Sequence, residues 1–310
     1  MPVTSEKNAA ARGYVAGKFG IQLGGTAAGW VQNVRGGHAT SDVVTEKMGP
    51  DHILRKHIAG VKYEEIALKV GTGMSKAFYD WIKSTFARAY GRVDGAIQTC
   101  TYDLKEQSRL EFFQALISEI GFPALDAASK DAALLTLKFQ PETTRMKPGS
   151  KAAVSGLPAK TRPKPWLLSN FRLKIDGLDC TRVSKIGALV VAQKNSLHAV
   201  GELRDYQTEP TSVEIPNLVV TLAESHAKEF YDWHEDFVIR GNNGEDKTKG
   251  GTLEYLSPDL HDALFTLKFS HAGIFKLDQE EATAGSESIQ RVTAELYLED
   301  MTFEHHASVG

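Results

Sequence analysis

The chain has 310 residues, of which 42% are hydrophobic and 24% charged, with a formal charge of -3. That balance describes an ordinary folded protein and excludes a strong pull toward nucleic acid or a membrane surface, while the length suits two domains of about 150 residues, each able to bury its own core. Two cysteines, Cys100 and Cys180, exclude a disulfide framework and point to a reducing compartment. No apolar run approaches the roughly 20 residues of a membrane span, and the start of the chain, Met1 to Lys7, lacks a signal-peptide pattern, so synthesis and folding in a cytoplasm are expected.

In chain order, the first element is an alternating strand, Phe19, Ile21 and Leu23, closed by a turn at Gly24-Gly25. The same pattern returns 152 positions later as Phe171, Leu173 and Ile175 with a turn at Asp176-Gly177. Val31 and Val34 likewise fall on Val183 and Ile186. Self-similarity of this kind is a primary signal of repeated architecture. A Gly-rich polar stretch from Gly36 to Gly60 follows, too long for a simple connection, and reads as a functional extension or projecting hairpin. Its glycines Gly36, Gly37, Gly49 and Gly60, with Gly187 in the second copy, mark candidate loop positions.

The next strand changes its apolar parity midway, from Val61 and Tyr63 to Ile66, Leu68 and Val70, as does Val213 and Ile215 to Leu218, Val220 and Leu222. A shared change of face predicts a shared bulge or bend. A helix is then expected in each copy. Ser75 N-caps the first, with Phe78, Trp81, Ile82 and Phe86 on one stripe; Ser225, Phe230, Trp233 and Phe237 stand in the second. These aromatics read as core. Beyond the helix the 152-residue offset puts Phe113 on Phe265, Gly121 on Gly273 and Leu125-Asp126 on Leu277-Asp278, ahead of an insertion in the second copy. Strands at Ala133 to Phe139 and around Leu296 to Leu298 complete a mainly antiparallel β unit with one helix, present twice, as a sandwich or barrel.

Residues 142–166 separate the copies, carrying several prolines and six cations, Arg145, Lys147, Lys151, Lys160, Arg162 and Lys164, opposed only by Glu142. An extended, solvated linker is expected there; the competing reading is a strap across an acidic surface or phosphates.

Catalytic candidates are weak. His226 and His234 lie among Glu229, Asp232, Glu235 and Asp236, but their spacing is not the i, i+4 metal signature, and His305-His306 reads as tail. The glycines at 24, 25, 36 and 37 open no phosphate-cradling loop before a helix. No catalytic, cofactor or metal site is expected.

Tyr14-Val15-Ala16-Gly17-Lys18-Phe19, the turn at Gly25, the Val61 to Gly71 strand, the helix with Asp80-Trp81-Ile82 and the segment Ile120 to Leu125 resemble the tail tube protein family of contractile-tailed phages and related injection systems. Ile215 to Leu222, Phe230 to Trp233, Ala272 to Asp278 and Gln290 to Glu299 resemble the same family a second time. The resemblance implies two tandem tube-type domains, residues 1–141 and 167–310, joined by the 142–166 linker. It further implies a non-enzymatic structural protein made in a bacterial cytoplasm and assembled into a virion tail or injection particle. Six domains make a ring in that family, so three chains would suffice, in a pseudo-sixfold trimer stacking around a lumen for DNA or protein cargo. Sheath, baseplate or hub, and tail terminator proteins are the implied partners, and the Gly36 to Gly60 excursion the part that reaches the next ring. Two alternatives stay open: a hub or initiator ring joining threefold to sixfold parts, and a duplicated β-sandwich binding module that does not polymerise and keeps its sheet edges blunted.

Overall fold

The computed structural model describes residues 17–47, 53–154, 166–199, 206–280 and 289–306. In the first half, β1 (Lys18–Leu23) and β2 (Thr26–Gly36) make a hairpin around Gly24 and Gly25, both at positive φ, a conformation that glycine adopts without a Cβ clash. Among the described residues β3 (Ala39–Lys47) and β4 (Leu54–Tyr63) pair only with each other, and β5 (Ile66–Val70) leads into α1 (Lys76–Phe86). β6 (Val93–Cys100), the long β7 (Glu106–Phe122), the short β8 (Leu125–Asp126), β9 (Leu135–Gln140) and β10 (Thr143–Pro148) follow. β7 pairs with β6 along its first part and with β9 along its second. The path β7-β6-β1-β2-β5-β9 therefore returns to β7 and closes a barrel, with β10 added outside on β7.

The second half comprises β11 (Phe171–Ile175), β12 (Val183–Ile186), β13 (Leu189–Ala199), β14 (Tyr206–Glu214), β15 (Leu218–Ala223), α2 (Lys228–His234), β16 (Lys249–Leu256), β17 (Ala263–Gln279), β18 (Arg291–Tyr297) and β19 (Asp300–His305). Its strands run β11-β16-β17-β18-β15-β12, with β19 on β17, in the antiparallel pattern of the first half. β11 and β12 do not close on each other along their length, because β12 pairs with β8 of the first half instead.

Local devices recur at matching places. β7 changes partner where Gln114 takes φ +50° and a register shift falls between Ile117 and Glu119; β17 does so where His271 takes φ +53° and the shift falls between Ile274 and Lys276. Such irregularities bend a strand so that one element can serve two sheet regions. A Cβ on Gly95 would lie 2.4 Å from the Phe112 ring, and one on Gly251 would lie 2.5 Å from that of Phe269. Beyond the helices, matching residues therefore stand 156 or 157 apart, not 152. Phe269 matches Phe112, and Gly273 matches Leu116, so the expected pairings of Phe113 with Phe265, Gly121 with Gly273 and Leu125 with Leu277 are corrected. The extra residues of the second half sit mainly between α2 and β16, rather than after Asp278.

Three further expectations are corrected. The parity change at Val61 to Val70 is no bulge in one strand: β4 ends at Tyr63 in the hairpin sheet and β5 begins at Ile66 in the barrel. Ser75 caps α1 by accepting the Phe78 amide at 3.4 Å, whereas Ser225 lies in a 3-10 turn and α2 starts after Ala227 with no side-chain cap. Residues 142–154 and 166 are not a free linker, and 155–165 lie outside the described residues. β10 occupies 143–148, Ala153 bridges Lys105, and Trp166 is buried against Tyr255 and Phe265 at 5.2 Å each. Glu106 holds this return segment: Arg109 Nε and Ser150 Oγ each donate to its carboxylate at 2.7 Å, and Gln98 Nε2 at 3.0 Å. Burial alone would raise its pKa, but these donors outweigh it and bring the group down to about 2.

Candidate assembly interface

The helix stripe has two sides with different partners. Phe78 and Trp81 face the core of their own half: Trp81 lies 5.3 Å from Phe139 and donates its Nε1–H to the Gly91 carbonyl at 3.0 Å. Tyr79 and Phe86 face the second half. Tyr79 stacks on His305 at 3.7 Å with planes 9° apart, and Phe86 stacks on Phe303 at 5.9 Å. Burial holds His305 below its ordinary pKa, which favours the neutral ring in this stack. Ile82, 1% exposed, is buried in the same cluster.

Strand addition makes a second contact between halves. β13 runs antiparallel to the end of β7, with Leu189 opposite Phe122, Val191 opposite Ile120 and Ala192 opposite Glu119. One sheet of nine strands, among the described residues, thus crosses from the first half into the second. β8 repays the exchange by pairing Leu125 with Ile186 and Asp126 with Lys185. At the rim, Arg92 binds the Glu142 carboxylate and the Thr208 carbonyl, while the Thr208 amide donates to Glu142 at 3.0 Å. Backbone pairing gives such a joint its register, and the buried Leu189, Val191, Tyr79 and Phe86 side chains give it apolar area.

Other predicted positions fall as follows. Phe230, Trp233 and Phe237 are buried, with Trp233 and Phe237 rings 5.9 Å apart. Gly36 and Gly37, at φ +87° and +84°, form the exit from β2 to the hairpin, and Gly60 lies within β4. Gly187, two residues before β13, donates its N–H to the Val219 carbonyl at 2.9 Å within the second half. Arg145 is exposed; Lys147 pairs with Glu111 at 2.8 Å; Lys151 takes φ +58°. Gly49, Lys160, Arg162 and Lys164 lie outside the described residues.

The histidine candidates do not converge on a site. His226 Nδ1 lies 3.2 Å from Asp179, whose pKa is brought to about 2 chiefly by the Thr181 hydroxyl and amide. Asp232 binds Lys228 and Glu235 binds Arg240. Among the described residues no group of three or more His, Cys, Asp or Glu is placed to hold a metal ion, and no helix is long and apolar enough to cross a membrane. Sequence reasoning missed Tyr79, Arg92 and Glu142. It also passed over Leu189-Val190-Val191, an apolar run standing where the first copy has Gly37-His38-Ala39.

The family model of the T4-like virus tail tube protein gp19 matches residues 15–145, the stretch from before β1 into β10. The first half belongs to the tail tube family. The chain as a whole is matched by that model over less than half of its length. It is similar in fold to a chain of the sheath-tube complex of the PVC extracellular contractile injection system, at 18% identity and TM-score 0.40 over 47% of this chain and 99% of the other. A chain of the anti-feeding prophage tube-terminating cap matches at 17% identity and TM-score 0.41 over 48% and 100%. One of the anti-feeding prophage baseplate matches at 19% and 0.33 over 44% and 91%. No curated protein matches the chain.

Proposed function

We propose that this chain is a tail tube structural protein with two tube domains, and that three chains close a pseudo-sixfold ring that stacks around a lumen serving DNA or protein cargo. The observation that carries this is the sheet crossing from β7 to β13, which joins the two halves as neighbours. The recurring pairings and partner changes of β7 and β17 support treating the second half as a tube domain like the first. A head-to-tail contact repeated around an axis closes a ring when its rotation permits. Sheath, baseplate and terminator proteins are the proposed partners, in line with the assemblies in which the similar chains were solved. The role is non-enzymatic.

In this scheme the β3–β4 hairpin reaches the adjacent ring. Val43, Leu54 and Ile58 on it are exposed, and an isolated two-stranded hairpin of this kind gains stability by docking. Deleting residues 43–58 is expected to leave rings intact and abolish stacked tubes in electron micrographs. Loss of the rings themselves would contradict that division of labour. Wild-type tubes mark the repeating subunit; wild-type rings that never stack mark a hub or initiator.

A further inference from the structure

The contact between halves within one chain leaves its complementary surfaces open at the far ends. Tyr79, 2% exposed, corresponds 152 positions on to Tyr231, 36% exposed, and Phe86, 5% exposed, to Val238, 42% exposed. The face of α1 that the second half covers is thus more exposed on α2 and the helical turn after it, where Tyr231 keeps one hydrogen bond, its hydroxyl accepting from Gln279 Nε2 at 3.1 Å. The acceptor shows the converse. In the second half Phe303 and Phe265 receive Tyr79 and Phe86. Their counterparts, 157 positions earlier, are Met146, 59% exposed, and Ser108. Both line an unfilled cavity of about 350 Å³ with Phe19, Leu110 and Ile97 in its wall.

A strand edge is open in the same way. β7 receives β13 at Glu119 to Phe122. Among the described residues, the matching stretch of β17, Lys276 to Gln279, pairs with β18 on one side only, and the β13 counterpart in the first half is the segment Gly37 to Thr40 at the start of β3, whose Ala39 pairs only with Tyr63 of β4. Helix face, cavity and strand edges share one polarity: the second half offers what the first half accepts.

We infer that the helical face bearing Tyr231 of α2 and Val238 of the π-helical turn that follows it, Glu235–Ile239, seats in the Met146 cavity of a second copy of this chain, whose β3 start adds to the open edge of β17. This rests on the ring reading and names the junction that would close it. The new junction has less aromatic and apolar bulk than the one inside the chain, with Ser108 for Phe265, Met146 for Phe303, Val238 for Phe86 and Gly37-His38-Ala39 for Leu189-Val190-Val191. That difference suits surfaces that must stay in water before assembly, whereas the internal joint is buried as the chain folds.

The test is disulfide trapping with Val238→Cys and Met146→Cys, the positions matching the Phe86–Phe303 stack. Oxidised double variant is expected to give dimers and larger species on non-reducing gels, and each single variant monomer alone. Tyr231→Glu is expected to abolish association while leaving the melting temperature of the unassociated chain, measured at low protein concentration, unchanged. A double variant that stays monomeric while wild-type protein forms rings would overturn the junction and spare the ring reading, whether other surfaces join the copies or the chain's own N-terminal residues fill the cavity. Wild-type protein that forms neither rings nor cross-links would overturn both. Equal cross-linking by one single variant would show a like-to-like contact and also overturn the junction.

Discussion

Replacing Trp166 with alanine is expected to lower stability by roughly 3 to 5 kcal/mol, the usual cost of deleting a buried aromatic whose cavity cannot collapse. Its ring is 2% exposed and meets Tyr255 and Phe265 edge-on, within the layer that also receives Tyr79 and Phe86. The backbone is engaged too, since the Ala133 amide donates to the Trp166 carbonyl at 2.7 Å. One residue therefore joins both halves, its side chain packing on the second and its backbone carbonyl accepting from the first. The indole Nε1–H finds no acceptor among the described residues, so Trp166→Phe removes a buried donor unsatisfied there along with some volume and is expected to cost much less than Trp166→Ala. Urea denaturation of the two variants checks this; a loss under about 1 kcal/mol for the alanine variant would mean the segment is a loose linker after all.

The second large effect is an asymmetry between equivalent tyrosines. Tyr79→Ala is expected to destabilise the monomer by about 3 kcal/mol or more, because its ring is enclosed by His305, Phe265 and Phe303 and its hydroxyl donates to the Thr72 carbonyl at 2.8 Å. Tyr231→Ala, at the matching place on α2, is expected to change the stability of the unassociated chain by no more than about 0.5 kcal/mol. Thermal or urea melts at low protein concentration separate the two. Equal losses would mean that α2 is already covered within the chain, and would remove the basis for an open helix face.

Much of the first half was legible from pattern alone. Phe19, Ile21 and Leu23 alternate because one face of β1 packs inward, and Ser75 with Phe78 and Trp81 announces a capped amphipathic helix. The helix stripe did not reveal that it serves two partners, since Trp81 and Phe86 are equally apolar and only tertiary packing assigns one to each half. The 152-residue offset misled beyond the helices because a few extra residues before β16 shift the register while leaving the alternation intact, and a period of two tolerates such slips in a pattern of similar residues. The cations at 142–166 suggested solvation, yet Met146 and Thr144 alternate with Arg145 and Lys147, as an edge strand requires. The joint between halves was hidden for another reason: strand addition is made by backbone groups, which every residue carries. Its one trace was Leu189-Val190-Val191, an apolar run longer than an exposed hairpin base needs.

The central claim is that three chains, each contributing two tube domains, close one ring. Mass photometry of the purified protein with negative-stain microscopy of the same sample tests it most directly. The account predicts hollow rings at about 102 kDa, three times the 33.9 kDa chain, with rings of three chains as the unit of any stacked tube. A protein that stays at the monomer mass without rings, or that closes rings from six chains, would contradict it.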